Sequence, residues 1–232
     1  ITYDEAGERN HGEARRWFER AAAKGYDGAL RELGRQYAEG RGSPVDLAEA
    51  FVWFERAARA GDDWSQNRIG VMLASGTGIE RDPEEAAVWF RLAAKQGLPE
   101  AMSRLADLLH SGAPGVTKDL PEAFRLYRAA GEAGYAFGSH MVGWMITYGE
   151  AGERDYAEAR RWFERAAQAG LALSMKEIGL QYSEGRGTAI NQAEAYGWFY
   201  QAAEKGDDWA QNRIGWMLLN GRGVAKNPPA AV

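Results

Sequence analysis

Residues 29–61 read ALRELGRQYAEGRGSPVDLAEAFVWFERAARAG, and close copies of this stretch fill most of the chain. Its second half contains EAFVWFERAARAG at 49–61. The Ala that follows the first Glu of this segment recurs at positions 14, 50, 86, 123, 159 and 195. Successive copies therefore lie 36 or 37 residues apart. Self-similarity at such a period is typical of repeat proteins, in which each unit packs on its neighbours.

Each copy is predicted to form two helices. In the second helix, Ala50, Trp53, Phe54 and Ala57 fall at i, i+3, i+4 and i+7, which is the apolar stripe of an amphipathic α-helix. The helix is expected to begin at a capping box, in which Asp or Asn accepts from a first-turn amide and a Glu three residues later reaches back to the N-cap amide. The boxes are Asn10–Glu13, Asp46–Glu49, Asp82–Glu85, Asp119–Glu122, Asp155–Glu158 and Asn191–Glu194.

The first helix of most copies contains an internal glycine, which costs about 1 kcal/mol relative to Ala. These glycines are Gly34, Gly70, Gly143, Gly179 and Gly215. Their regular placement predicts close contact with the Ala-rich stripe of the neighbouring helix. A Gly-x-Gly turn then ends the helix in most copies, whereas the fourth copy has Gly149-Glu-Ala-Gly152.

The repeats predict a single solenoid over residues 1–232. Its units are 1–25 (partial), 26–61, 62–97, 98–134, 135–170, 171–206 and 207–232 (partial). Ile1 falls near the end of a first helix and Val232 soon after an N-cap, so we expect a piece of a longer solenoid. A longer period overlies the short one, because GDDWSQNRIG at 61–70 returns as GDDWAQNRIG at 206–215, four repeats later.

Composition excludes several function classes. The net charge is −5 without a basic stripe, which disfavours nucleic acid as a partner. Apolar runs are too short to span a membrane, and cysteine is absent. The three histidines, His11, His110 and His140, lack metal-binding spacing, so we predict no cofactor, no metal and no enzymatic activity.

The pattern of residues 29–61 resembles the Sel1-like repeat family, a relative of tetratricopeptide repeats. The resemblance extends over nearly the whole chain and implies an all-α, right-handed α/α superhelix of about six 36-residue helix-turn-helix repeats. One cysteine-rich branch has been linked to β-lactam binding, and the absence of Cys removes that analogy here. Bacterial members often organise cell-envelope complexes, so the resemblance favours an exported or periplasmic location, while a cytoplasmic one stays open.

In such solenoids the first helix of each repeat lines the concave groove, so the resemblance implies a binding surface there. Steps of 3 and 4 residues along these helices select one face. The predicted partner-binding residues are Trp64, Asn67, Val71, Ser103, Asp107, His110, Phe137, His140, Trp144, Tyr148, Lys176, Trp209, Asn212, Trp216 and Asn220. Arg31, Arg35, Leu180 and Glu184 continue the same rows.

Aromatic side chains interleaved with Asn, His and Lys suit an extended peptide, because Trp supplies contact area and Asn can bond both backbone groups. The predicted function is a non-catalytic scaffold or adaptor that binds a partner protein or peptide. Two alternatives stay open: a carbohydrate-binding module, with a glycan as ligand, and a hydrolase of β-lactamase-like type. Trp64 and Trp209 could instead be staples that pack on the previous unit. The tryptophans of the repeated Trp-Phe pair are expected in the core: Trp17, Trp53, Trp89, Trp162 and Trp198.

Overall fold

The computed structural model describes residues 10–224, and these residues form twelve α-helices of 13 residues each without a strand. The helices are α1 (His11–Ala23), α2 (Asp27–Glu39), α3 (Leu47–Arg59), α4 (Asp63–Ser75), α5 (Pro83–Lys95), α6 (Pro99–Ser111), α7 (Leu120–Glu132), α8 (Ala136–Tyr148), α9 (Tyr156–Gln168), α10 (Ala172–Glu184), α11 (Gln192–Glu204) and α12 (Asp208–Asn220). The prediction of an all-α fold built from helical pairs is confirmed. Even-numbered helices are the first of each repeat and are called A helices; odd-numbered helices are the second and are called B helices.

The chain divides into two compact units. The N-terminal unit ends at Asp119 and contains α1–α6, while the C-terminal unit begins at Leu120 and contains α7–α12. The division falls inside the predicted repeat 98–134, which contains the extra residue of the 37-residue step. The single solenoid over residues 1–232 stays a prediction.

The B helices begin as predicted, but only half of the expected capping box forms. The Asp46 and Asp82 side chains each accept from the backbone N–H three residues later, at 2.9 Å. The backbone N–H of Asp46 is already bonded to the carbonyl of Tyr37 on the preceding A helix, at 3.0 Å. Glu49 therefore does not reach back, and its Oε1 accepts the indole N–H of Trp53 at 3.0 Å instead. The capping-box prediction is wrong for this Glu because a tertiary bond occupies its expected donor.

The internal glycines of the A helices do have a packing cause, though the partner differs from the prediction. A Cβ placed on Gly70 would lie 2.6 Å from the Phe90 ring, and one on Gly179 would lie 2.5 Å from the Phe199 ring. Both phenylalanines are buried. The phenylalanine of the Trp-Phe pair, rather than the Ala stripe, is thus the main group that excludes a side chain at these positions.

The Trp of the same pair is less uniformly buried than predicted. Trp89 is 9% exposed, whereas Trp53, Trp162 and Trp198 are half-buried. Trp17 on α1 is 56% exposed, so the expectation that it lies in the core is wrong. The Phe of the pair packs against the A-helix glycine. The rings of Trp17, Trp53 and Trp162 are instead covered by an Arg three residues further along the same helix.

The turn after each A helix joins one repeat to the previous one. Gly76 ends α4 with φ of 75°, and Gly78 has φ of 79°, a region that favours glycine. A Cβ on Gly78 would lie 2.6 Å from the Cβ of Leu47, the first residue of α3. The turn therefore packs closely against the start of the preceding B helix, and a side chain at Gly78 would push the turn away from α3.

Among residues 10–224, no helix is both long enough and apolar enough to cross a bilayer.

Candidate interaction surface

The A helices place equivalent residues in rows, because each helix repeats the same register. The row that contains Asn67 is called the inner row. Its members are Arg31, Asn67, Ser103, His140, Lys176 and Asn212. Asn67, Ser103 and His140 are only 5%, 1% and 7% exposed. These three predicted groove residues therefore lie below the surface and offer a ligand almost no contact area.

Three members of the inner row, Arg31, His140 and Lys176, bond to the next A helix. Arg31 Nη1 donates to Asp62 Oδ1, the N-cap of the next A helix, at 2.9 Å. Lys176 Nζ lies 3.6 Å from Asp207 Oδ2. Lys176 and Asp207 are the equivalents of Arg31 and Asp62 four repeats later. His140 Nδ1 lies 2.9 Å from the hydroxyl of Ser174 on α10. The expected groove role of Lys176 thus competes with a structural one, since its ammonium is already paired.

The repeated GDDW segment has a structural reason to persist. Asp62 accepts the backbone N–H of Ser65 at 2.9 Å in addition to its ion pair, and Asp207 accepts that of Ala210 at 2.8 Å. The Trp two residues after each Asp packs on the preceding B helix. Trp64 meets Phe54 edge to face with ring centroids 5.6 Å apart, and Trp209 meets Phe199 in the same way at 5.3 Å. These contacts agree with the staple alternative, although both indoles stay partly exposed.

Sequence reasoning missed the two pairs that Asp62 and Asp207 form with Arg31 and Lys176. A signal was present, because both pairs have the same separation of 31 residues and the same unit-to-unit register. The residues were instead assigned by helix face alone, which places Arg31 and Lys176 toward solvent. The partners of Arg31 and Lys176 are set by contacts between the A helices of successive repeats.

A second row, called the outer row, begins one turn further along each A helix. Its members are Arg35, Val71, Asp107, Trp144, Leu180 and Trp216. In the C-terminal unit the row is apolar. Trp144 is half-buried and its ring contacts that of Tyr148 with centroids 4.8 Å apart. Tyr148 and Trp216 are 42% and 43% exposed. In the N-terminal unit the row has no aromatic residue.

The remaining predicted residues differ in exposure. Val71, Asp107, His110 and Phe137 are half-buried, while Asn212 and Asn220 are exposed. The Asn220 amide donates to the carbonyl of Trp216 at 2.8 Å, and the Phe137 ring lies 6.0 Å from that of His140. Trp144, Tyr148 and Trp216, with Leu180 between them, therefore form a row of apolar side chains on the C-terminal A helices, and Trp209 is also exposed on α12.

The electrostatics of the C-terminal unit centre on His140. Burial, together with the smaller effect of the nearby Lys176 charge, lowers the pKa of His140 to about 4. The ring is therefore neutral at pH 7. Burial also raises the pKa of Glu177. Over residues 10–224, no group of three or more His, Asp or Glu side chains is arranged to hold a metal ion.

The paired helices, the sealed glycine turns and the repeat-to-repeat Asp bridges define a helical-repeat protein whose recurring residues build its scaffold. The chain belongs to the Sel1 repeat family. That family matches residues 4–26, 28–62, 65–98, 99–135, 136–171, 172–207 and 210–232. The resemblance inferred from the sequence is thereby confirmed.

Solved structures of the same family are similar along almost the whole chain. A protective antigen of uropathogenic Escherichia coli with an SLR fold is 32% identical, with a TM-score of 0.88 over 94% of this chain and 46% of its own. A Sel1 repeat protein from Oxalobacter formigenes is 33% identical, with a TM-score of 0.86 over 97% of this chain and 64% of its own. A Klebsiella pneumoniae protein that is 18% identical, with a TM-score of 0.54 over 88% of this chain and 98% of its own, shares the fold.

This chain spans less than two thirds of the length of the first two relatives. A search of curated proteins finds no match. Sel1 repeat proteins are in general scaffolds for protein interactions and are typically not catalytic.

Proposed function

We propose that this chain is a non-catalytic scaffold that binds a partner protein through the A-helix face of its C-terminal unit. The observation that carries the proposal is the alignment of Trp144, Leu180 and Trp216 at the same position of α8, α10 and α12, beside the exposed ring of Tyr148. Three successive helices thus present large apolar groups in one row. Exposed apolar rows of this kind mark interaction surfaces in soluble proteins.

The chemistry of the row favours a polypeptide with apolar side chains. Trp and Tyr contribute much contact area with little loss of rotamer freedom, and they dominate the binding energy of many interfaces. The inner row beneath is fixed by the Lys176–Asp207 pair and the His140–Ser174 hydrogen bond. The surface is therefore held in place before a partner arrives, which reduces the entropy lost on binding.

A carbohydrate ligand has less support. The guanidinium groups of Arg213 and Arg222 lie 5.4 and 5.0 Å from the centre of the Trp216 ring, so they compete with a sugar for its faces. Asn67 and His140, which could have bonded sugar hydroxyls, are buried. No feature of the described residues supports the β-lactamase-like hydrolase.

The experiment selects 12-residue peptides by display against the purified protein and then measures their affinity by fluorescence anisotropy. For peptides that use this surface, Trp144→Ala and Trp216→Ala are expected to weaken binding roughly thirtyfold, the loss of one central anchor. Trp17→Ala is the matched control, because Trp17 is an exposed Trp on a B helix. Its affinity should stay unchanged.

Two results would contradict the proposal. One is that the three Trp variants bind the selected peptides with equal affinity. The other is that a glycan array gives specific binding that Trp216→Ala removes while no peptide binds. Melting temperatures of the variants, measured in parallel, show whether a loss of binding reflects loss of fold.

A further inference from the structure

Two arginines at α12 lie against aromatic rings and have no carboxylate partner among the described residues. The Arg213 guanidinium lies 5.9 Å from the centre of the Trp209 ring and 5.4 Å from that of the Trp216 ring. The Arg222 guanidinium, in the turn after α12, lies 5.0 Å from the centre of the Trp216 ring. Neither arginine forms an ion pair with any of residues 10–224, and the buried Nε of Arg213 has no acceptor there.

The equivalent arginine of α6 shows which group is missing. Arg104 occupies the position of Arg213, and Glu100, one turn earlier, occupies the position of Trp209. Glu100 Oε1 accepts from Arg104 Nε and Nη2 at 3.0 and 2.8 Å, so this charge is paired within its own helix. On α12 an indole replaces the acid, and residues 209–224 contain two arginines but no Asp or Glu.

The neighbouring acids do not supply the missing carboxylate. Glu177 holds the equivalent position on α10, and the charges that act on its carboxyl come from α10 itself and the turn after it. Asp207 caps α12 and lies 3.6 Å from Lys176. Asp208 lies five residues before Arg213, a spacing that places the two side chains on different faces of the helix. The positive charge of α12 is therefore available to an incoming group.

A following repeat leaves such a Trp-Arg pair accessible. The repeated decapeptide places the same pair on α4, as Trp64 and Arg68. Although α5 and α6 follow α4, Trp64 stays 36% exposed and Arg68 stays half-buried. The second tryptophan and the second arginine have no counterpart there, because α4 carries Val71 and the turn after it carries Thr77. The full surface of two indoles and two guanidinium groups thus belongs to α12.

We propose that the C-terminal A-helix face binds a partner segment in which Asp or Glu adjoins a large apolar residue, with Arg213 and Arg222 receiving the carboxylate. This inference rests on the proposed function and names the chemistry of the partner. Stacking on a ring covers the flat face of a guanidinium. The N–H groups lie in its plane and stay free to donate to a carboxylate in two parallel bonds.

The indoles of Trp209 and Trp216 fit the other half of the segment. Each is 43% exposed, so each can contact an apolar side chain of the partner. Their apolar surface also lowers the local dielectric constant, which strengthens the ion pair beside them. The net charge of −5 opposes a long run of acids, so one or two carboxylates beside an apolar residue match this surface best.

The test selects peptides from a random 12-residue display library against the wild-type protein and, in parallel, against the double variant Arg213→Gln/Arg222→Gln. Peptides selected by the wild type are expected to carry Asp or Glu within two residues of an aromatic or aliphatic residue more often than the unselected library. The double variant should lose this enrichment. Synthetic copies in which Asn or Gln replaces the acid should bind the wild type roughly tenfold more weakly in fluorescence anisotropy.

Single variants locate the carboxylate. Arg213→Gln should weaken binding of the acidic peptides roughly tenfold. Arg104→Gln is the matched control, because it makes the same change where the arginine is already paired with Glu100, and it should leave binding unchanged. Arg222→Gln guards against a loss of fold, since Arg222 is exposed and its replacement should weaken binding at an unchanged melting temperature.

The outcomes separate this inference from the proposed function. If the selected peptides need Trp144 and Trp216 but show no enrichment of acids, the inference is overturned and the proposed function stands. Equal effects of Arg213→Gln and Arg104→Gln on the acidic peptides also overturn the inference. If no peptide is selected, or if none is weakened by Trp144→Ala or Trp216→Ala, the inference and the proposed function both fail.

Discussion

Two glycines on adjacent helices of the same repeat should respond in opposite directions to the same substitution. Gly179 on α10 faces Phe199, and an added Cβ would lie 2.5, 2.6 and 3.1 Å from three atoms of that ring. Gly197 on α11 is exposed, and an added Cβ would meet nothing within 4 Å. Both lie inside a helix, so alanine gains the same helix propensity of about 1 kcal/mol at each position.

The cost of packing an extra methyl group then decides whether Gly179→Ala raises or lowers the free energy of unfolding. Carbon atoms pack best at ~3.5 to 4.0 Å, so a contact of 2.5 Å forces the ring or the helix to move. Phe199 is fully buried, and the edge-to-face contact with Trp209 at 5.3 Å hinders the ring from turning away. Overpacking costs about 1–3 kcal/mol, and the upper half of that range applies to a ring held on both sides. After the propensity gain, Gly179→Ala is expected to destabilise by about 1–2 kcal/mol.

Urea denaturation followed by circular dichroism at 222 nm measures both effects. Gly197→Ala should stabilise the C-terminal unit by about 1 kcal/mol, because only the unfolded chain and the helix propensity change. The two variants should thus move the midpoint in opposite directions. If Gly179→Ala proves neutral or stabilising, the account of the A-helix glycines as close-packing positions is refuted.

Three further predictions concern the polar groups of the fold. His140 has a pKa of about 4 in the folded protein against an ordinary value of 6.5, so the unfolded chain binds more protons below about pH 6.5. The free energy of unfolding should therefore fall by about 2 kcal/mol as the pH is lowered from 7.5 to 5. The variant His140→Gln should lose this part of the pH dependence, measured by urea denaturation. Asp82→Ala removes the N-cap of α5 and should lower the free energy of unfolding by about 1 kcal/mol, measured by urea denaturation. Asp207→Ala should lower the free energy of unfolding more than Asp207→Asn, because Asn keeps the N-cap and loses only the ion pair with Lys176. That ion pair contributes at most about 1 kcal/mol, and 1 M NaCl should reduce its contribution.

Each of these has a result that contradicts it. An unchanged pH dependence in His140→Gln would mean that His140 is not held neutral by burial. If Asp82→Ala is as stable as the wild-type protein, the start of α5 is stabilised by Pro83 and tertiary packing rather than by the Asp82 cap. Equal losses in the two Asp207 variants at low salt would show that the ion pair, rather than the cap, carries the contribution of Asp207.

The sequence alone determined the repeat, the two helices of each unit, the capped starts of the B helices and the glycines that end the A helices. These features depend on local spacing: an apolar stripe at Ala50, Trp53 and Phe54 fits only a helical period, and Asp46 can cap only the helix that follows it. Because the same local pattern occurs six times, the fold could be inferred without any knowledge of long-range contacts.

The tertiary structure decided which polar and aromatic residues reach solvent. Asn67 and His140 share a helix face with residues that are exposed, yet both are buried, and His140 lies against Ser174 of the next A helix and Phe163 of α9. The carboxylate of Glu49 bonds Trp53 because Tyr37, on another helix, already holds the expected donor. Spacing along one helix fixes the direction of a side chain, but only packing between helices fixes what that side chain meets.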